Sequence, residues 1–130
     1  MVFSIRIMPV FLIFFTVLTT VTGSPTTIST LISTDTAENI TFYSAVLKAT
    51  VDPQGYPTTV CFELGTDTTY GFTIIPSPDT ITGSGPVSFQ VEVTGIASAQ
   101  TFHFRAKASN SLGIFYGQDV VFITETNPPR

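Results

Sequence analysis

Beyond Thr36 this chain nowhere places apolar side chains at helical spacing over three turns; it alternates instead. Pro86–Thr94 shows this most cleanly, with Val87, Phe89, Val91 and Val93 on one parity and Ser88, Gln90 and Glu92 on the other. Successive strand side chains point to opposite faces, so such a run is a strand with one face in a core. Ser44–Val51 turns Ala45, Leu47, Ala49 and Val51 inward, and Thr58–Leu64 does the same with Val60, Phe62 and Leu64. Gln100–Ser109 places Phe102, Phe104, Ala106 and Ala108 inward against His103, Arg105 and Lys107. Tyr70–Ile75 is a shorter strand stopped by Pro76 and Pro78, and Phe115–Thr124 closes the domain with Val120 and Phe122 as its core residues. A weak edge strand is expected around Ile28–Ser33.

Turn chemistry separates these runs. Asp52-Pro-Gln-Gly-Tyr-Pro57 must turn, because Pro53 cannot donate to a ladder and Gly55 accepts positive φ. Gly65-Thr-Asp67 breaks the next strand, Ser77–Gly85 is loop by composition, and Asn110-Ser-Leu-Gly113 is a hairpin-type connection. About seven strands with turn signals roughly every 10 residues predict an all-β, immunoglobulin-like sandwich of antiparallel strands. Threonine, 23 of 130 residues, suits it, being β-branched yet polar enough for solvent-facing positions.

The N-terminus reads differently. Ile7–Leu18 is almost wholly apolar, with Arg6 ahead of it and compact residues at Val21, Thr22 and Gly23. A dozen apolar residues suit the core of a secretory signal peptide and fall short of the roughly 20 that span a bilayer. Residues 1–23 are therefore expected to be a signal peptide cut after Gly23, the alternative being an uncleaved membrane anchor. Residues 24–36 read as a linker with a weak first strand, 37–125 as the sandwich and 126–130 as a polar tail.

Composition removes several chemistries. One cysteine cannot form an internal disulfide framework or a Cys-rich zinc site, and one histidine cannot build a multi-His metal centre. Beyond Gly23, four basic residues (Lys48, Arg105, Lys107, Arg130) face nine acidic ones, which argues against nucleic acid as a partner.

The stretch Phe102-His-Phe-Arg-Ala-Lys-Ala-Ser-Asn-Ser-Leu-Gly113 resembles the F strand and following turn of fibronectin type III domains. Leu47–Gly65 is similar to strands B and C of the same domain. The Val51-Asp-Pro-Gln-Gly55 turn, Phe62-Glu-Leu-Gly-Thr66 and Tyr70-Gly71 resemble modules common in secreted and cell-surface bacterial proteins. The likeness covers roughly Pro25–Glu125 and implies an adhesive, spacer or accessory module, since fold alone does not fix function. Where antibody-type sandwiches carry a disulfide and a tryptophan, the register here puts Leu47, Phe104 and Phe62, so packing alone must join the sheets. Phe102 stands at the tyrosine-corner position without the hydroxyl that would bond the upstream backbone. With Phe89 and Phe122, these four complete the expected core.

Candidate sites are few. His103 is expected on an outward row with Arg105 and Lys107, with Glu63 on the neighbouring strand opposite Arg105 and no catalytic constellation around it. Asp35, Glu38, Asp52, Asp67, Asp79 and Asp119 are scattered over turns without calcium-loop spacing, so turn chemistry accounts for them. Cys61 should point outward as an inert thiol, Arg105 being the one cation able to activate it. Asn39-Ile-Thr41 is an N-glycosylation sequon, meaningful only if the export route glycosylates. Tyr56, Leu112 and Ile114, from two turns at one end of the sandwich, form the candidate ligand loops. No Arg-Gly-Asp occurs, and neither cofactor nor metal is implied. The expectation is a non-catalytic, secreted or cell-surface module that contacts an extracellular protein or glycan, or acts as a spacer. One alternative is an accessory module of an exported polysaccharide-degrading enzyme; another is a surface protein held at the membrane by an uncleaved N-terminus.

Overall fold

A computed structural model describes residues 31–129, which contain nine strands and no helix. Residues 1–23, the expected signal peptide, lie outside the described residues. The strands are β1 (Leu31–Thr34), β2 (Ser44–Asp52), β3 (Thr58–Gly65), β4 (Gly71–Ile74), β5 (Thr80–Ile81), β6 (Val87–Thr94), β7 (Thr101–Asn110), β8 (Gly113–Tyr116) and β9 (Val120–Ile123). All pairings are antiparallel and fall into two sheets: β1–β2–β6, and β4–β3–β7 with β8 and β9 side by side in sequence along the far edge of β7. The protein is a β-sandwich.

The parity read from the sequence sets the core. Leu47, Phe62 and Phe104 are fully buried, and Phe89, Phe102 and Phe122 nearly so. Large rings lie beside small neighbours on the adjacent strand: Phe62 registers with Ala106, and Phe89 with Ala49. That spacing lets Phe62 and Phe89, on opposite sheets, meet at a centroid distance of 5.1 Å, while Phe104 lies 6.0 Å from Phe62. Tilted ring pairs of this kind favour edge-to-face electrostatics on top of burial. Each fully buried side chain of this size contributes roughly 1.5–3 kcal/mol. Phe102 lacks a latch hydroxyl but stacks on Phe122 at 5.5 Å.

Three expectations about the elements are corrected. Phe115–Thr124 is two strands, not one, because Gly117, Gln118 and Asp119 leave the ladder between β8 and β9. Loop composition at Ser77–Gly85 hides β5, which pairs with the start of β3 and buries Ile81. The third is a strand end: the weak first strand expected around Ile28–Ser33, whose residues 28–30 lie outside the described residues, runs on as β1 to Thr34, which is buried.

Thr34 is in fact where the two sheets are stapled. Its Oγ1 accepts from the Ala106 amide of β7 at 3.0 Å, its own amide donates to Gln118 Oε1 at 3.2 Å, and its carbonyl accepts from Gln118 Nε2 at 2.7 Å. The Gln118 side chain thus pairs with the β1 backbone as a strand peptide would. Gly117 permits the approach, since a Cβ there would sit 2.3 Å from Thr34 Oγ1. Ser44, Thr58 and Thr124 are the other buried polar residues among those described, and each hydroxyl is bonded. The Thr34→Val substitution preserves shape while orphaning the Ala106 amide. It is expected to cost about 1–3 kcal/mol by urea unfolding, and Gly117→Ala a similar amount through overpacking.

Candidate functional site

The two candidate ligand turns do lie at one end of the sandwich. Thr58 Oγ1 donates to Tyr56 O at 2.7 Å and accepts from Asn110 Nδ2 at 3.1 Å, tying them together. Asp52 Oδ1 accepts from the amides of Gln54 and Gly85, so it is a turn carboxylate as expected. Tyr56 is half-buried there, while Leu112 is exposed at the β7–β8 turn. Ile114 is not a loop residue. It lies in β8, registered with Ser109, and its exposed side chain belongs to the outward row of the larger sheet.

That outward face holds most of the chemistry of the molecule. Along β7 it presents Thr101, His103, Arg105, Lys107 and Ser109; along β3, Cys61 and Glu63. At the edge stand Ile114, Tyr116, Val121 and Ile123, all exposed. Arg105 donates from Nε to Glu63 Oε1 at 2.7 Å, and Lys107 Nζ lies 4.0 Å from Glu63 Oε2. The Arg105 guanidinium packs 3.9 Å from the centre of the Tyr116 ring and 4.8 Å from that of Tyr70, a cation–π arrangement. Burial opposes the Arg105 charge, but the hydrogen bond and attraction of Glu63 outweigh it, and its pKa is raised.

Tyr70 reaches this face because of the turn before β4. Gly65 ends β3 with the Tyr70 backbone folded directly over it; a Cβ at Gly65 would lie 1.9 Å from Tyr70 O. Asp67 caps the turn, accepting from the Thr69 amide and hydroxyl while its carbonyl accepts from the Tyr70 amide. Those Thr69 bonds hold the Asp67 pKa below its ordinary value. Tyr70 itself has φ of 60°. From there its hydroxyl donates to Asp119 Oδ1 at 2.9 Å, and His103 Nδ1 donates to Asp119 Oδ2 at 2.8 Å.

Asp119 therefore departs from the turn reading. It gathers Tyr70 and His103 from distant segments, a constellation invisible in the sequence because its members are 49 and 16 residues away. Desolvation first, then the Asp119 carboxylate, push the Tyr70 phenol up to about 12. A phenol so held stays protonated at neutral pH.

Cys61 points outward and is half-buried, opposite Lys107 rather than Arg105. Burial raises its thiol pKa more than Lys107 lowers it. Asn39 is exposed, with φ of 49°, in the segment between β1 and β2. Among the described residues no three His, Cys, Asp or Glu side chains converge as metal ligands.

Two clefts flank β4. One, of about 330 Å³, opens on the outward face between Glu63, Arg105, Tyr70 and the Thr68–Thr73 segment. The other, about 410 Å³, is apolar and lies at the mouth between the sheets, lined by Leu64, Phe72, Ile74, Val93, Ile96 and Phe102.

The Tyr70 phenol provides a direct check. In a spectrophotometric pH titration, one of the four tyrosines is expected to ionise last, near pH 12, and to fall back toward 10 in Asp119→Asn. A folded-state pKa raised above the unfolded value contributes stability that is complete below about pH 10. Stability should therefore decline as pH rises from 10 toward 12.

No protein family matches the sequence, and no curated protein does. Among solved structures, the sensor domain of the anti-sigma factor RsgI4 of Pseudobacteroides cellulosolvens is similar in three determinations. A longer version gives a TM-score of 0.56 at 16% identity, covering 78% of this chain and 95% of that one. A shorter version gives 0.54 at 17%, covering 78% and 100%. The solution structure gives 0.53 at 16%, covering 75% and 76%. At this identity the likeness establishes the β-sandwich fold.

Proposed function

We propose that the protein is a non-catalytic, exported module of fibronectin type III type that binds an extracellular or cell-surface protein or glycan through the outward face of its larger sheet. The observation that carries this reading is the concentration of exposed large side chains there. Ile114, Tyr116, Val121 and Ile123 form one row at the β8–β9 edge, beside the fixed polar groups of β7 and β3. Exposed apolar side chains that the described elements leave uncovered form a surface suited to a partner. The neighbouring RsgI4 domain is named a sensor domain.

The test is retention of the tagged protein, expressed from the full chain, on the envelope fraction of its producing cells. Wild type is expected to be retained, and Ile114→Ser/Ile123→Ser to lose at least about tenfold, the scale of a lost hot spot. A spacer predicts no retention, or retention that the double substitution leaves unchanged.

A further inference from the structure

We infer that the free edge of β6 is a second interaction surface, a seat for one extended peptide strand of a partner protein. That strand is apolar at alternate positions and carries a basic residue between them. The seat lies on the flank opposite β1 and does not depend on the outward face of the larger sheet.

The two sheets differ in width, and the difference leaves a vacancy. Phe62 of β3 meets Phe89 of β6 across the core, so β6 lies opposite β3. β4, one strand further out, has no strand of the smaller sheet across from it among the described residues. Phe72 of β4 registers with the buried Leu64 and shares its inward parity, yet it is 68% exposed. Two hollows follow one another along this strip, each with β6 as a wall. One, of about 260 Å³, lies between Val87, Phe89 and the Pro76–Pro78 segment. The other is the apolar cleft of about 410 Å³ between Val93, Phe72 and Ile74. Adjacent strands lie about 4.8 Å apart, and the strip beyond β6 that β4 overhangs is one strand wide.

Backbone chemistry selects the occupant. β6 registers with β2 without a bulge through all eight residues, from Val87 to Thr94, and among the described residues it pairs with nothing on its other side. A row of amides and carbonyls at strand spacing is matched by another extended backbone. The other edges of the smaller sheet and of the β4 flank are blunted. β1 and β4 have four residues each, Gln118 occupies the β1 backbone at Thr34, and Pro76 and Pro78 follow β4. β6 contains no Pro, Gly or Lys, the residues that usually guard an edge or break it. A strand laid along it turns alternate side chains into the vacancy. Those opposite Phe89 and Val93 are four residues apart, about 13 Å, and each enters one hollow. Glu92, the only charged side chain of β6, stands on the opposite parity and makes no ion pair among the described residues, where Lys48 pairs with Glu38, and Arg105 and Lys107 with Glu63. Its complement is a basic residue at a solvent-facing position of the incoming strand. A second copy fits less well, because pairing β6 with β6 brings the overhanging β4 of each molecule against the larger sheet of the other.

The experiment selects a phage-displayed random dodecapeptide library on the protein expressed from the full chain. Synthetic copies of the recovered peptides are then measured by fluorescence anisotropy and by amide hydrogen exchange. The peptides are expected to alternate apolar residues with a basic one between, and to slow exchange of every second β6 amide, those pointing away from β2, at least about tenfold. Phe72→Ser should weaken binding at least about tenfold, the scale of a lost hot spot. Glu92→Lys should weaken it several-fold, and Ile114→Ser/Ile123→Ser, on the other flank, should leave it unchanged. N-methylation of the peptide at alternate residues should abolish binding for one parity and spare it for the other, since only one edge of the peptide meets β6. Circular dichroism confirms that each variant is folded. No enriched peptide, binding that leaves β6 exchange unchanged, or binding indifferent to Phe72→Ser overturns the inference. Protection of the same amides by concentration-dependent dimerisation, seen in sedimentation without any peptide, assigns the edge to a second copy and overturns it too.

Discussion

Everything in this sandwich depends on the inter-sheet packing around Phe62. With no disulfide across the sheets and no tryptophan in the sequence, the two layers are held by what their inner faces bury. Phe62 sits at the centre, meeting Phe89 of the smaller sheet and Phe104 of its own, with Phe104 passing contact on to Phe122 and thence Phe102. The alanines of β2 and β7 are as necessary as the rings. A larger side chain at Ala106 or Ala49 would meet the ring registered beside it, and overpacking of that kind costs about 1–3 kcal/mol.

Packing does not by itself specify how the sheet edges meet, and here hydroxyls act. Thr34, Thr58 and Thr124 are buried and each bridges segments far apart in sequence. Of the 16 threonines among the described residues, eight lie in strands, and Thr34, Thr58 and Thr124 act as staples. The Thr34–Gln118 pairing also interrupts the last strand, and the interruption delivers Asp119 to the outward face. Edge closure and site assembly thus share one local irregularity.

Much of this was legible in the sequence, and the boundary has physical causes. Period-two alternation identified the inward residues of β2, β3, β6 and β7, because burial on one face is what the alternation encodes. The Glu63–Arg105 pairing followed from strand adjacency alone. Thr34 was not legible, since nothing local distinguishes a buried hydroxyl from an exposed one in a Ser/Thr-rich stretch. Nor was the Tyr70–Asp119–His103 cluster, whose members come from a turn, an interrupted strand and a ladder. Its only local signal was Gly65 before a Thr-Asp-Thr-Thr turn, which marks a chain reversal without saying which side chain it aims. Ile114 falls within a loop on sequence because Gly113 looks like a turn residue, whereas Gly113 opens β8.

Inner packing holds the sandwich, and the outward cluster is fixed in place without supporting it. Half-exposed ion pairs and a surface cation–π stack are worth little to stability, together about 1–2 kcal/mol, whereas truncating a buried phenylalanine costs about 3–5 kcal/mol. The most direct measurement is the unfolding free energy in urea of Phe62→Ala beside that of Arg105→Gln/Tyr116→Ala. A loss of about 3–5 kcal/mol is expected for the first and no more than about 2 kcal/mol for the second. An outward-face variant as destabilised as Phe62→Ala would contradict it, showing the cluster to be part of what holds the protein together.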